Sequence, residues 1–389
     1  MGKIELDHTG SGSGITLSSD GTDLLLDGTA IGGGGGGGDP DLYRDNASSA
    51  VTPTASGTNA VAIGSGAVAS GNLSFAFGSS GSNAAIASGS QSISMGSYSR
   101  AYGSTSIGVG YAAEASSGAS GGVALGQNAR SAGSYAVGLA NSRASGSNSF
   151  AAAIASNSSS YGATGANSIA GGYLNKASSS DSLCWGGDTN ICHNSQSAIV
   201  GGQLNDCSGG YSFITGGYNN NILGTYSRAG GKDADTGDNL GKDAYASGKF
   251  SSRGDCQTAK RILMRSTTDA TATVLTAQGN APNTTNQVIL PNNSCYGFTG
   301  TVIARENSAQ TNDFAVWEIK GGAVRAANAA STTLGSYNIN KISESSGAAN
   351  WSIALSADTT NGAVAITVTG EASHSIRWVA TVNTTEVTY

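Results

Sequence analysis

Pairs of adjacent glycines recur at an almost fixed interval through the middle of this chain: Gly171-Gly172, Gly186-Gly187, Gly201-Gly202, Gly216-Gly217 and Gly230-Gly231. From second glycine to second glycine the steps are 15, 15, 15 and 14 residues. A segment that short cannot bury a face of its own, so the period reads as one turn of a coil that stacks on its neighbours. Three residues after four of the pairs stands an asparagine (Asn175, Asn190, Asn205, Asn220), and two residues further on lie Ala177, Cys192, Cys207 and Ile222. Gly172, Gly187, Gly202 and Gly217, together with the four asparagines, are therefore expected at the corners of the coil. Both residue types tolerate left-handed backbone, and identical asparagines stacked along an axis can hydrogen-bond as a ladder. The Ala/Cys/Ile position fits a small buried slot repeated in each turn.

Looser copies begin near residue 60. Ala60-Val61-Ala62-Ile63-Gly64, Phe75-Ala76-Phe77-Gly78, Ile93-Ser94-Met95-Gly96, Ile107-Gly108-Val109-Gly110, Val123-Ala124-Leu125-Gly126 and Tyr135-Ala136-Val137-Gly138 each alternate large and small residues and end in Gly. Period two is the signature of a strand, with large residues on one face and Ala, Ser or Gly on the other. The small face is expected to let neighbouring chains approach closely in a symmetric assembly.

Composition agrees with a stacked shaft and disfavours most other classes. The 389 residues include 59 Gly and only 11% charged side chains, against roughly 25% charged in an ordinary soluble domain. Hydrophobic residues still make up 38%, which disfavours disorder, and 4 Pro without a Gly-X-Y period exclude collagen. A net charge of −6 with no basic run argues against a nucleic-acid partner. Residues 1–20 show neither the basic start nor the apolar stretch of an export signal, and no run of apolar residues is long enough for a membrane-spanning helix. Five cysteines, an odd number, do not suggest a disulfide framework.

Four segments result. Residues 1–31 form an N-terminal β attachment element, with strands expected at Gly14–Ser18 and Asp23–Asp27. Residues 32–58 are a hinge and linker opened by the run Gly32–Gly38. Residues 59–250 are the repeat shaft. Residues 251–389 form a C-terminal β-domain, a sandwich or jelly roll, with strands expected at 261–264, 272–275, 287–290, 300–304, 315–319, 351–355, 364–368 and 376–382.

The segment from about Asn59 to Gly237, with its Ala60-Val61-Ala62-Ile63-Gly64 and Ile169-Ala170-Gly171-Gly172-Tyr173-Leu174-Asn175-Lys176-Ala177 motifs, resembles the YadA-like head repeats of trimeric autotransporter adhesins. That resemblance implies a homotrimer of left-handed β-rolls. The coiled-coil stalk and membrane barrel of those adhesins have no counterpart here. Gln257–Lys260, Leu290–Ser294, Ala357–Gly362 and Ile376–Ala380 resemble the C-terminal domain of phage tail fibres, and the opening Ile4–Asp7 through Gly28–Ile31 is similar to cyanophage fibre N-termini. The resemblances imply a bacteriophage tail fibre, extracellular on the virion. Its expected partners are a tail or baseplate protein at the N-terminus and a host surface glycan or outer-membrane receptor at the C-terminal domain. The alternatives are a fragment of a cell-surface trimeric adhesin and a glycan-depolymerising tailspike.

No catalytic, cofactor or metal site is expected. Glu114, Asp181, Asp188 and Asp206 in the shaft never recur as the carboxylate pair that glycosidic cleavage needs, and Glu306, Asp313, Glu318 and Asp358 could meet only through folding. His8, His193 and His374 sit in no nucleophile signature, and Cys184, Cys192, His193 and Cys207 match no zinc spacing. The stretch Asp233-Ala234-Asp235-Thr236-Gly237-Asp238 followed by Asp243 looks like a calcium loop but has Ala244 where the bidentate Glu belongs, and reads as a solvated junction. Lys260, Arg261 and Arg265 could mark an anionic glycan site. Receptor-contact residues cannot be assigned from sequence. Of the aromatic residues of the C-terminal domain, most of Trp317, Trp351 and Trp378 are expected in its core, leaving loops around 305–313 and 325–350 for contact.

Overall fold

The computed structural model describes residues 51–78, 83–156, 158–307 and 312–389, together with four N-terminal strands. Those strands, Ile4–Leu6, Ile15–Ser19, Leu24–Leu26 and Thr29–Ala30, pair antiparallel in chain order, two more than the sequence suggested. The run Gly32–Gly38 and His8 lie outside the described residues.

From Thr54 onward the chain winds as a β-solenoid of two parallel sheets. Each coil adds one short strand to each sheet. One sheet has 12 strands, from Thr54–Ala55 to Asn221–Ile222. The other begins at Val61–Ile63 and runs in register to Asp243–Ser247, so that Leu183 pairs with Ala198, Ala198 with Phe213, Phe213 with Arg228 and Arg228 with Asp243. Every coil donates backbone hydrogen bonds to the next, as in Leu183 N to Ser197 O at 3.0 Å and Ala198 N to Ser212 O at 3.0 Å.

The inside of the coil is where the structure departs from expectation. In the first coils the buried residues of the second sheet-forming strands are the small ones, Ala62, Ala76, Ser94, Ala124, Ala151, Ala170 and Cys184, with Ala69, Ala87, Ala101, Ala144 and Ala177 buried in the other sheet; only the later strands bury Ile199 and Ile214. The small face therefore points into the chain's own interior and is closed to a neighbouring chain. Spacing explains why. A Cβ added at Gly138 would stand 2.3 Å from Arg130 O, and one at Gly108 would stand 2.6 Å from Arg100 O. At those positions the two layers are too close for even a methyl group, so large side chains must point outward.

At the last coil the parallel sheet continues into the C-terminal domain without a break. Asp243–Ser247 pairs antiparallel with Cys256–Thr267, which pairs with Ile376–Thr388, then Ser294–Glu306, Phe314–Arg325 and Thr333–Glu344. A second sheet, with Ala363–Thr369 between Ser352–Asp358 on one side and Thr273–Val274 and Val288–Ile289 on the other, packs over it as a sandwich. Its core is built on three tryptophans. Trp317 and Trp378 rings lie 5.7 Å apart, Trp351 and Trp378 6.0 Å apart, and all three are buried. The stretch 325–350, expected as a loop, carries the strand Thr333–Glu344, whose side chains are mostly exposed, so no hydrophobic alternation announced it.

Candidate interaction surface

The outward face of the continuous sheet carries two rows of side chains. In register, one row reads Val61, Phe75, Ile93, Ile107, Val123, Val137, Phe150, Ile169, Leu183, Ala198 and Phe213. The row beside it includes Ile63, Phe77, Met95, Val109, Leu125 and Leu139. In the single chain most of these residues are partly covered, and Phe77, Ile93, Leu125, Ile169 and Phe213 are exposed, Phe77 the most at 47%. An apolar strip that runs the length of the shaft exceeds the isolated exposed residues normal for a soluble monomer and is the candidate interaction surface.

Beyond Phe213 the row turns polar. It continues as Arg228, Asp243, Lys260, Asn383, Thr299, Lys320 and Asn338. Arg228 grips Asp243 with two bonds, at 2.9 and 2.5 Å. Here, where shaft meets tip, the sheet face lines an open trough of about 1100 Å³. Past the trough an apolar row returns, with Met264, Val379 and Ile303 exposed side by side.

Behind the trough a charged cluster ties tip to shaft. Lys242, in the last coil, donates from Nζ to Glu386 Oε2 at 2.7 Å, and the Arg261 guanidinium lies 3.5 Å from Glu386 Oε1. Gln257 Nε2 and Thr384 Oγ1 each donate to the same carboxylate at 2.7 Å, and all five side chains are buried. Burial alone would push the Glu386 carboxyl up, but Lys242, Arg261 and the hydrogen bonds outweigh it and hold it at about 2. Burial presses the Lys242 ammonium below its ordinary range, against the pull of Glu386.

The corner residues occupy the solenoid as a stack. Gly202 has φ of +85°, and a Cβ there would lie 2.1 Å from Gly217 O; Gly172, Gly187 and Gly217 also have positive φ. Asn175, Asn190, Asn205 and Asn220 are buried, and Asn205 Nδ2 donates to Asn190 Oδ1 at 2.9 Å while Asn220 Nδ2 donates to Asn205 Oδ1 at 3.0 Å. The asparagines are not the left-handed residues. That conformation belongs to the preceding Leu174, Thr189, Leu204 and Asn219, with φ of 50°, 54°, 59° and 57°. The asparagine amides instead satisfy the backbone of adjoining coils, as when Asn205 donates to Gly217 O at 3.0 Å and accepts from Asn220 N at 3.0 Å.

The other residues weighed in the sequence do not converge. Cys184, Cys192 and Cys207 fill the coil interior, where burial pushes the Cys207 thiol up to about 12, while His193 faces out beside Asp206 at 3.7 Å. Asp233 is buried and accepts from Asn219 Nδ2 at 2.6 Å, so that part of the junction is packed and not solvated. Glu306 lies 3.3 Å from His374 Nδ1, Asp313 accepts from Ser345 Oγ, Asp358 binds Asn361 and Gln287, and Glu318 stands on the open sheet face. Of the three basic residues considered for an anion site, only Lys260 faces the trough; Arg261 is buried and Arg265 Nη1 donates to Asn280 O at 2.7 Å. Lys320 and Tyr245 join it there, and only sheet register could have identified them.

No known family description matches the chain, and no curated protein does. Among solved structures it is similar to the tailspike protein of Acinetobacter phage vB_ApiP_P1, at 11% identity and a TM-score of 0.20 over 85% of this chain and 80% of that one. It is also similar to the tailspike of Acinetobacter baumannii phage AM24, at 10% identity and a TM-score of 0.17 over 81% of this chain and 52% of that one. Likeness at this level carries no functional argument. Among the described residues, no helix is long and apolar enough to cross a membrane.

Proposed function

We propose that this chain is a non-enzymatic fibre subunit: three copies associate along the apolar rows of the shaft, and the assembly serves as a bacteriophage tail fibre that adheres to the host surface through its C-terminal tip. The observation that carries the reading is the wet apolar strip from Val61 to Phe213. Burying such a side chain from full exposure is worth roughly 1.5–3 kcal/mol, and these, partly covered already, each supply less than half of that, so the driving force comes from the number of positions along the strip. Three is the number that the resemblance of the repeats implies, and closed symmetry suits an identical strip on every copy. The N-terminal four-stranded sheet is then the element that joins the tail.

Adhesion is assigned to the tip because the shaft repeats a few residue types, whereas the tip brings chemically varied side chains to its open sheet face. The test is competition. Purified full-length protein should block adsorption of the phage that carries it, and antibody against the tip should label the distal end of a fibre on the virion by electron microscopy. Adsorption unaffected by saturating protein would overturn the adhesive role, and label on the cell envelope of uninfected bacteria would favour the adhesin alternative.

A further inference from the structure

We propose that the trough at the shaft–tip junction binds an acidic oligosaccharide. The inference rests on the adhesive role above and gives it a place and a ligand class.

The trough has the shape and the chemistry for such a ligand. Its lining includes Gly230, Gly297 and Gly321, and a Cβ added at Gly297 would meet nothing within 4 Å, so the missing side chain leaves open space. Tyr245, 59% exposed and two residues along its strand from Asp243 on the same face, offers an aromatic face of the kind on which sugar rings stack. Along the same face run the amides and hydroxyls of Asn383, Thr299 and Asn338. Charge then selects the sign of the ligand. Arg228 and Asp243 neutralise one another, whereas Lys260 and Lys320 have no ion-pair partner among the described residues. Three strand spacings separate the two lysines, roughly 14 Å. Two cations at that distance with neutral donors and acceptors between them match a chain of sugars charged on more than one unit. A second copy of this protein is a poorer occupant, because its own Lys260 and Lys320 would be brought to the same face and repel.

The test is isothermal titration calorimetry on the full-length protein with a galacturonic acid hexamer and low-molecular-weight dextran sulfate as acidic probes and maltohexaose as the neutral one. Either acidic probe should bind, and maltohexaose at least tenfold more weakly. Lys260→Ala with Lys320→Ala should weaken binding tenfold or more, Lys260→Arg with Lys320→Arg should retain it, and Gly297→Trp should abolish it with the circular dichroism spectrum unchanged. Failure of both acidic probes to bind, equal binding of the neutral one, or indifference to all the substitutions would overturn the site. Protection of Lys260 and Lys320 from acetylation in the assembled protein would also overturn it, because a neighbouring copy would then fill the trough. Sedimentation of the same samples separates the two readings: a trimer that binds neither acidic probe loses the site and keeps the fibre, and a monomer that binds does the reverse.

Discussion

Shaft and tip share one hydrogen-bonded sheet, yet they fill the space behind it in opposite ways. In the shaft the second layer is a few residues away in the same coil, and the gap is filled mostly by Ala, Ser, Gly and Cys, with Ile154, Ile199, Ile214 and Ile222 the largest side chains it takes; in the tip the second layer is a separate sheet, and the gap is filled by Trp317, Trp351, Trp378, Leu263 and Val302. The outward faces differ correspondingly. The shaft sends its large apolar residues to the surface, while the tip keeps them inside and shows a mostly polar face around the trough. Burial capacity is therefore set by the distance between layers, and the sequence pattern alone does not say which face of a strand is the inner one.

The largest expected effect is in the tip. Trp378→Ala removes the ring that touches both other tryptophans and should cost about 3–5 kcal/mol in chemical denaturation. The matching deletion in the shaft, Ala170→Gly, should cost only about 1 kcal/mol, chiefly backbone entropy. Equal losses at the two sites would break the contrast.

The junction comes next. Glu386→Gln leaves Lys242 and Arg261 as two buried cations without their counter-charge, a loss of roughly 3–5 kcal/mol. The same carboxylate predicts an acid transition. Its ordinary value is 4.5 and its folded value is about 2, so its contribution is complete above the ordinary value and is lost as pH falls through the folded one. The size is roughly 3 kcal/mol. Stability measured against pH should fall across that window in the wild type and much less in Glu386→Gln; parallel curves would remove Glu386 as the cause.

Smaller effects belong to the shaft, where enlargement of a small residue harms more than its deletion. Gly138→Ala forces a methyl group to within 2.3 Å of Arg130 O as the backbone stands and should cost about 1–3 kcal/mol. Asn205→Leu removes the amide from the ladder and leaves the Asn220 N–H and Gly217 carbonyl short of a partner, again about 1–3 kcal/mol. A melting temperature unchanged by Asn205→Leu would mean that the ladder adds nothing to backbone stacking.

Much of the shaft was legible in the sequence because its contacts repeat. The glycine pairs gave the period, the asparagines the ladder, and Ala177, Cys192, Cys207 and Ile222 the buried slot. What escaped had no period to betray it. The orientation of the alternating face depended on layer spacing, and three of the four left-handed residues at the asparagine corners, Leu174, Thr189 and Leu204, are of types that give no signal. Thr333–Glu344 has no buried stripe. Lys242 and Glu386 meet across 144 residues, and the trough gathers side chains from several strands of the junction, so neither could be read from neighbours in the chain.

The central claim is that the exposed apolar rows of the shaft are the surface on which copies of the chain assemble, and sedimentation velocity of the full-length protein tests it directly. The wild type should sediment at three times the chain mass, and Ile169→Lys combined with Leu125→Lys, both pointing outward and so harmless to the coil interior, should shift the population to folded monomer. A wild type that sediments as a folded monomer at micromolar concentration, or a double-lysine variant that assembles as well as the wild type, would contradict the account.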